Sequence, residues 1–427
     1  MRRNYILFII FSVIAGNCFA KYVGWTVYNT SNSGLPDNNV WAIATEGSNV
    51  WVGTEYCGLA KFDGTNWTVF NQSNSSLPNN AVGALGLEGT TGDIWIGTGD
   101  MEGYGGLAKY NGTSWTVYKT SNSELPANYV YALWIEGTTG AKWIGTWGGG
   151  LAKLDGTNWT VFNESNSGLP DNHINALEGE GTTGNIWIGT NGNGIAKFDG
   201  TNWSTFNTSN SGLPNNYVNA LGVEGTTGDI WIGTRGGLAK FDGTNWTVYD
   251  TSNSDLPHNN VYALGIDGSD KWIGTKGGGL AKFDGTNWTV YNTSNSELPD
   301  NNVAVLRIKG GNIWVGTSTG GGLAVYTTTG VEEKSNLDFG LGIADLRIGK
   351  NPFVKSTVIN YELQKRDKVS LKIYDLMGRC VKTLIDGEKE AGSYSVKLDG
   401  KGLTNGIYFV KLKTGNYKET RKLILMK

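Results

Sequence analysis

Cysteine and histidine are nearly missing from these 427 residues: three of the first (Cys18, Cys57 and Cys380) and two of the second (His173 and His258). So few cysteines exclude a disulfide framework, and two histidines at different positions of the chain offer no His-centred zinc cluster. Charged residues make up only 17%, too few for a solvated disordered chain, while 39% hydrophobic content with 11% aromatics suffices for a large core. Past the first 20 residues no apolar run approaches the ~18 needed for a membrane-spanning helix. Positive charge is short as well: residues 21–330 carry 14 Lys/Arg against 26 Asp/Glu, and only residues 331–427 reverse the balance, with 19 against 12. An acidic body of this kind is a poor partner for nucleic acid or an anionic membrane.

What is abundant is glycine, at 64, and tryptophan, at 17. The glycines follow no three-residue period, which excludes collagen. At the N-terminus, Arg2 and Arg3 precede "YILFIIFSVIAG" and then "NCFA", which puts Cys18 and Ala20 at the two small-residue positions before a cut. Residues 1–20 read as a cleaved secretory signal. A lipoprotein signal acylated at Cys18 is the rival, and Asn17 is the wrong kind of residue before it.

From residue 21 to 330 one pattern recurs with a period of about 44 residues, "WIGT…GGGLAKFDGTNWTVYNTSNSxLPxNNVxALxxEG". Its first tryptophan appears as Trp51, Trp95, Trp143, Trp187, Trp231, Trp272 and Trp314, its second as Trp25, Trp67, Trp115, Trp159, Trp203, Trp246 and Trp288. Each repeat reads as four short strands, for example "VYALWIEG", "AKWIGT", "GLAKLDG" and "WTVFN", divided by Gly, Asn, Asp and Ser clusters. The second strand is apolar on both faces, with Trp95 on one and Ile94 and Ile96 on the other, so it needs a sheet packed against each side. Sheets stacked around an axis satisfy this as a seven-bladed β-propeller; an open solenoid is the alternative. The ends argue for closure. A lone "WTVY" strand precedes the first full repeat and the seventh repeat lacks its own, so the two ends are expected to build one blade together and remove open edges.

"LPxNxVxAL", "IWIGT" and "GGLAKFDG" together resemble the two-component regulator propeller family, whose members form sensing ectodomains of bacterial hybrid kinases. No kinase-like segment follows the repeats, so the signalling role is not carried over. Residues 331–345 have lost the repeat and read as a linker. Beyond them come alternating strands, "TVINYEL", "KVSLKIYDL", "YSVKLDG", "GIYFVKLKTG" and "YKETRKLILMK", expected to form a small immunoglobulin-like antiparallel sandwich over 346–427. An ordinary stalk domain would read the same. However, Asn351, Pro352 and Phe353 before the first strand, Asp375, Leu376, Met377, Gly378 and Arg379 after the second, and Gly392, Gly406, Tyr408 and the closing "KLILMK" resemble the C-terminal sorting domain of type IX secretion cargo. Gly349 and Lys350 stand where that family usually has Tyr-Pro. The resemblance implies export through the type IX machinery to the medium or outer-membrane surface of a Gram-negative bacterium.

Positions that agree among the seven copies serve the fold; positions that differ are free to specialise. The connection after "WIGT" and the one holding "SNSxLPxNN" are expected on one face of the ring. There the first loop presents Glu55, Tyr56 and Cys57 in blade 1, Asp100, Met101, Glu102 and Tyr104 in an enlarged blade-2 loop, then Trp147, Asn191 with Asn193, Arg235, Lys276 and Ser318. At the start of the innermost strand stand Trp41, Tyr129, Tyr131, His173, Tyr217 and Tyr262. Aromatics mixed with amides and charges suit stacking on sugar rings and bonding to their hydroxyls, although drift in solvated loops would also make the copies differ. The expected ligand residues are Trp41, Glu55, Tyr56, Asp100, Glu102, Tyr104, Tyr131, Trp147, Asn191, Arg235, Tyr262 and Lys276. No catalytic group, metal site or cofactor is expected. A carboxylate pair from Glu55, Asp100 and Glu102 could in principle hydrolyse a glycoside, but nothing in the spacing demands it, and Cys57 has no identifiable base. The repeated "N-W-T" triplets match a glycosylation acceptor only weakly, because they recur at a hairpin. A secreted binding module is the leading expectation, with a glycan-degrading enzyme and a structural surface component as alternatives.

Overall fold

The computed structural model describes residues 24–328 and 346–426, with breaks at 90, 138, 182–183, 226, 349–352, 354, 364–365, 376–377, 391 and 415–416. The expected signal, the linker, Asn351, Pro352, Leu376 and Met377 lie outside the described residues. Every element found is a strand.

Seven four-stranded antiparallel sheets follow one another along residues 24–328. Blade 3 is typical: Val130–Ile135 innermost, then Lys142–Thr146, Leu151–Asp155 and Asn158–Phe162. The other innermost strands are Val40–Glu46, Val82–Leu87, Ile174–Gly179, Val218–Val223, Val261–Asp267 and Val303–Lys309. Each packs on the next, and the last packs on the first, so the ring is closed. The expected clasp is present: Gly24–Tyr28 pairs antiparallel with Leu323–Thr327 and supplies the outer strand of blade 7.

The repeated residues have separate tasks in this packing. The second-strand tryptophans lie between blades; Trp143 stacks on Phe162 of its own sheet at 6.1 Å and meets Phe198 of the next edge-on. The glycine of "GT" lets neighbouring blades approach: a Cβ on Gly145 would sit 2.6 Å from Cγ2 of Ile174 in blade 4. The threonine after it is fully buried and donates to a carbonyl, Thr146 to Gly150 at 2.8 Å. The glutamate that ends the innermost strand receives a tryptophan indole and, in two blades, a lysine from the next. Glu88 accepts from Trp95 Nε1 at 3.0 Å and from Lys142 at 2.8 Å, and Glu224 accepts from Trp231 at 3.1 Å and Lys271 at 2.9 Å. The "SNS" loops bond to themselves. Asn29 Oδ1 accepts from Ser31 N and Asn32 N, Ser33 Oγ donates to Asn29 O, and Leu35 closes the loop by burial.

The C-terminal unit is a two-sheet sandwich, one sheet ordered Arg347–Ile348, Ser356–Leu363, Gly392–Asp399 and the other Cys380–Lys389, Asp367–Tyr374, Gly406–Thr414, Tyr417–Leu425. Ile359, Tyr361 and Leu398 of the first pack with Val369, Leu371, Val410, Leu412 and Leu423 of the second in one core. Cys380–Lys389 is a strand that the alternation rule did not reveal. It is an edge strand with no fully buried residue, and its two core contacts, Leu384 and Ile385, are adjacent in sequence, so no alternating apolar face marks it.

Candidate functional site

A cavity of about 610 Å³ opens on the axis, lined by all seven innermost strands and the loops that follow the second strands. A single irregularity shapes its wall. In every blade the register between the innermost and second strands slips at the second residue of the innermost strand, between Val40 and Ala42 in blade 1 and at the equivalent place in the other six. Such a bulge leaves one residue unpaired and re-aims it. The seven bulged residues are Trp41, Gly83, Tyr131, Asn175, Asn219, Tyr262 and Ala304, and all line the cavity. A second tier comes from the residue after "WIGT", whose backbone N–H reaches back to the carbonyl two residues before the bulge: Glu55 to Asn39 at 3.1 Å, Trp147 to Tyr129 at 2.9 Å, Lys276 to Asn260 at 2.9 Å. Both variable connections therefore lie on one face.

Trp41, Glu55, Tyr131, Trp147, Asn191, Arg235, Tyr262 and Lys276 are brought together in the wall. Tyr56, Asp100, Glu102 and Tyr104 are not part of it. Tyr56 and Tyr104 stand in solvent at 66% and 65% exposure, and Asp100 organises its own loop by accepting from Glu102 N and Tyr104 N and from the Asn79 amide. Trp147 lines the wall apart from Tyr104, which does not reach it. Trp147 is half-buried in an aromatic group with Tyr129 at 6.1 Å, Tyr131 at 5.7 Å and His173 at 4.9 Å. Desolvation pushes Tyr129 up to about 12 and raises Tyr131, so both hydroxyls stay protonated donors at neutral pH.

Gly83, Asn175, Asn219, Ala304, Asn302 and Thr319 also line the wall and were not singled out from the sequence. The signal for the first four was the x of "VxAL", which varies from copy to copy. Tyr129, His173 and Tyr217, which the sequence did offer, each stand two residues before the bulged position of their blade. His173 is held at the rim by Asp171, 3.0 Å from its Nδ1, and Tyr217 lies beneath Arg235, whose guanidinium carbon is 4.1 Å from the ring centre. Gly83 is notable because neither its backbone nor its neighbours demand glycine: its φ is not left-handed, and a Cβ would meet only Val130 O, at 3.9 Å. The wall of blade 2 is bare where Trp41 and Tyr131 stand on either side.

No group of three His, Cys, Asp or Glu suited to a metal occurs among the described residues. Burial, and then Asp37, push the Cys57 thiol up, which disfavours a thiolate nucleophile. Both Glu55 oxygens are engaged, one by the Asn39 amide at 2.8 Å and one by the Tyr56 hydroxyl at 2.6 Å.

In the C-terminal sandwich, the sequence-singled residues form turns and closures. Phe353 is buried and exchanges backbone bonds with the last strand, its N–H donating to Ile424 O and its carbonyl accepting from Met426, both at 2.9 Å. Asp375 accepts from Arg379 N at 2.9 Å and pairs with its guanidinium at 2.8 Å around Gly378, whose φ is +75°. Tyr408 donates to Thr404 O at 2.8 Å, and Gly406 begins the strand that carries it.

Residues 351–426 match the secretion system C-terminal sorting domain, and residues 34–56, spanning the loop and first strands of blade 1, match the two component regulator propeller. The chain joins a seven-bladed propeller to a segment that matches a secretion sorting domain. No curated protein matches it in sequence. Among solved structures, the extracellular domain of a hybrid two-component system from B. thetaiotaomicron is 17% identical at a TM-score of 0.61, over 94% of this chain and 57% of that one. PorZ, a bacterial surface component of the type-IX secretion system of Porphyromonas gingivalis, is 17% identical at 0.57, over 94% and 61%. A GH74 xyloglucanase from Xanthomonas campestris is 14% identical at 0.55, over 81% and 60%. This chain thus spans 57–61% of the length of the first two of these structures, which share its propeller fold. The sorting domain makes it a secreted or cell-surface protein of a Gram-negative bacterium.

Proposed function

We propose that this protein is a secreted or surface-delivered binding module whose propeller holds a glycan in its axial cavity. The observation that carries the reading is the contrast between frame and wall: seven blades repeat their packing residues, while the seven bulged positions hold two kinds of aromatic, two amides, a glycine and an alanine. Trp41, Tyr131 and Tyr262 offer ring faces, and Asn191 and Asn302 offer amides, the combination that sugar rings and hydroxyls engage. In this reading residues 1–20 direct export to the periplasm, residues 21–330 bind, 331–345 link, and 346–427 engage the type IX machinery.

The test is a glycan array probed with the full chain and with Gly83→Leu. Leucine at position 83 would project into the cavity without touching the frame, so binding should fall at least roughly tenfold while the melting temperature stays put. A silent array, or equal binding by the variant, would reject the axial cavity as a glycan site.

A further inference from the structure

The charges in the cavity wall run against those of the rest of the propeller. The body carries 14 Lys/Arg against 26 Asp/Glu, yet the charged side chains lining the cavity are Glu55, Arg235 and Lys276, two cations to one anion. Six lysines elsewhere on the propeller meet a carboxylate, Lys109 with Asp93, Lys142 with Glu88, Lys197 with Glu180, Lys240 with Asp229, Lys271 with Glu224 and Lys282 with Asp270, and none of the six lines the cavity. Among the described residues Arg235 and Lys276 have no carboxylate within 4.0 Å, and Glu55 spends its oxygens on Asn39 and Tyr56. Each cation instead rests on a tyrosine face, Arg235 4.1 Å from the centre of Tyr217 and the Lys276 ammonium 5.7 Å from that of Tyr262. Those rings fix the cations on adjacent blades 5 and 6 while leaving their N–H groups unpaired with any acid. Arg235 and Tyr131 of blade 3 line the same cavity, and the Arg235 charge opposes the burial that raises the Tyr131 hydroxyl.

We infer that the cavity is built for an acidic saccharide, with a carboxylate or sulfate on the sugar received by Arg235 and Lys276. This rests on the glycan reading above and narrows it. A planar fork beside a mobile point charge suits a carboxylate or sulfate oxygen set. The bare wall at Gly83 and the flanking Trp41 stand in blades 2 and 1, on other blades than the cations. One ligand can therefore stack its ring there and extend its charged group toward blades 5 and 6. In an otherwise acidic molecule, such a pair also draws an anion selectively to the axis.

The experiment is titration of the full chain with oligogalacturonate, its methyl ester, a sulfated galactan oligosaccharide, and neutral xyloglucan and mannan oligosaccharides. The acid-bearing probes are expected to bind best, carboxylate and sulfate arms distinguishing the two anions, and the methyl ester at least roughly tenfold more weakly than its acid. Binding should weaken with added salt. Arg235→Gln and Lys276→Gln should each lose at least roughly tenfold for the acidic probe and so narrow its advantage over the neutral probes. Because both side chains are exposed at the wall, neither substitution should move the melting temperature. Neutral probes bound as tightly as acidic ones, or glutamine variants that bind like the parent, would overturn the acid preference and leave the glycan reading standing. Binding of none of the five would overturn both.

Discussion

Glu178 stands on the innermost strand of blade 4, just past Leu177 of the cavity wall, where the other blades place Ala44, Gly86, Trp134, Gly222, Gly265 and Arg307. Desolvation pushes its carboxyl up to about 7 from an ordinary 4.5, against the opposing pull of the Gly179 N–H, the Arg307 charge and the Trp134 indole. The folded state thus holds this proton more tightly than the unfolded chain does. The stabilisation is complete below about 4.5, declines as pH rises, and is gone once pH has passed through about 7. Allowing for channel water, the swing is about 2 kcal/mol. Glu178→Gln should therefore flatten the fall in thermal stability between pH 5 and 8, and be the more stable form at pH 8. Parallel curves for both proteins would show that the carboxyl is not held protonated. The neighbouring departure, Trp134, explains Gly179: a Cβ there would lie 2.0 Å from Cζ2 of the indole. In the sequence "ALWIEG" and "ALEGEG" already differ from their sister copies at those places. What could not be read was that the two differences answer each other across a blade boundary, because contact between blades is a property of the ring and not of one repeat.

The strands themselves were largely legible because their chemistry repeats. Tryptophan, "GT" and "DG" recur at fixed offsets, and each has a packing or turn reason that one blade suffices to state. Two kinds of element were not legible. Cys380–Lys389 is paired on one side only and turns just the adjacent Leu384 and Ile385, both half-buried, to the core, so alternation gives no signal. The bulge that aims Trp41 and its six counterparts at the axis is a pairing feature, invisible until the partner strand is placed. Between blades, the bridge from Glu88 to Lys142 tests how elements hold each other. Both side chains are about nine-tenths buried, at 11% and 9% exposure, so removing one partner strands a charge. Lys142→Met should cost about 3 kcal/mol. The double variant Glu88→Gln with Lys142→Met should recover most of that, since no charge is left buried. By contrast, Lys282 and Asp270 remain 30% and 28% exposed, and Lys282→Met should cost less than about 1 kcal/mol. Thermal melts of the four proteins decide it; equal losses at both lysines would mean that burial does not set the value of these bridges.

Closure is the property of the whole molecule on which the cavity depends, since seven separate blades make no axis. It was legible from strand counting, a surplus "WTVY" at one end and a deficit at the other, and the structure joins them in register from Gly24 opposite Thr327 to Tyr28 opposite Leu323. The joint is more than a ladder of backbone bonds. Trp25 packs on Tyr326 at 5.0 Å and reaches Tyr291 of blade 6 at 5.9 Å, while Tyr28 meets Phe62 and Trp67 of blade 1 at 5.2 and 5.8 Å. The N-terminal strand therefore ties blade 6 to blade 1 through blade 7. Deleting residues 21–31 would bare the edge of Leu323–Thr327 and leave the aromatic faces on both sides without a cover. Such an edge templates pairing with a second chain, so the shortened protein should melt lower and scatter light increasingly with concentration. A synthetic peptide of residues 21–31 in excess should restore both properties by mass action, because it binds the folded ring and not the unfolded chain. A monomeric product with an unchanged melting curve would mean that the ring closes without its clasp, through the contacts of the innermost strands alone.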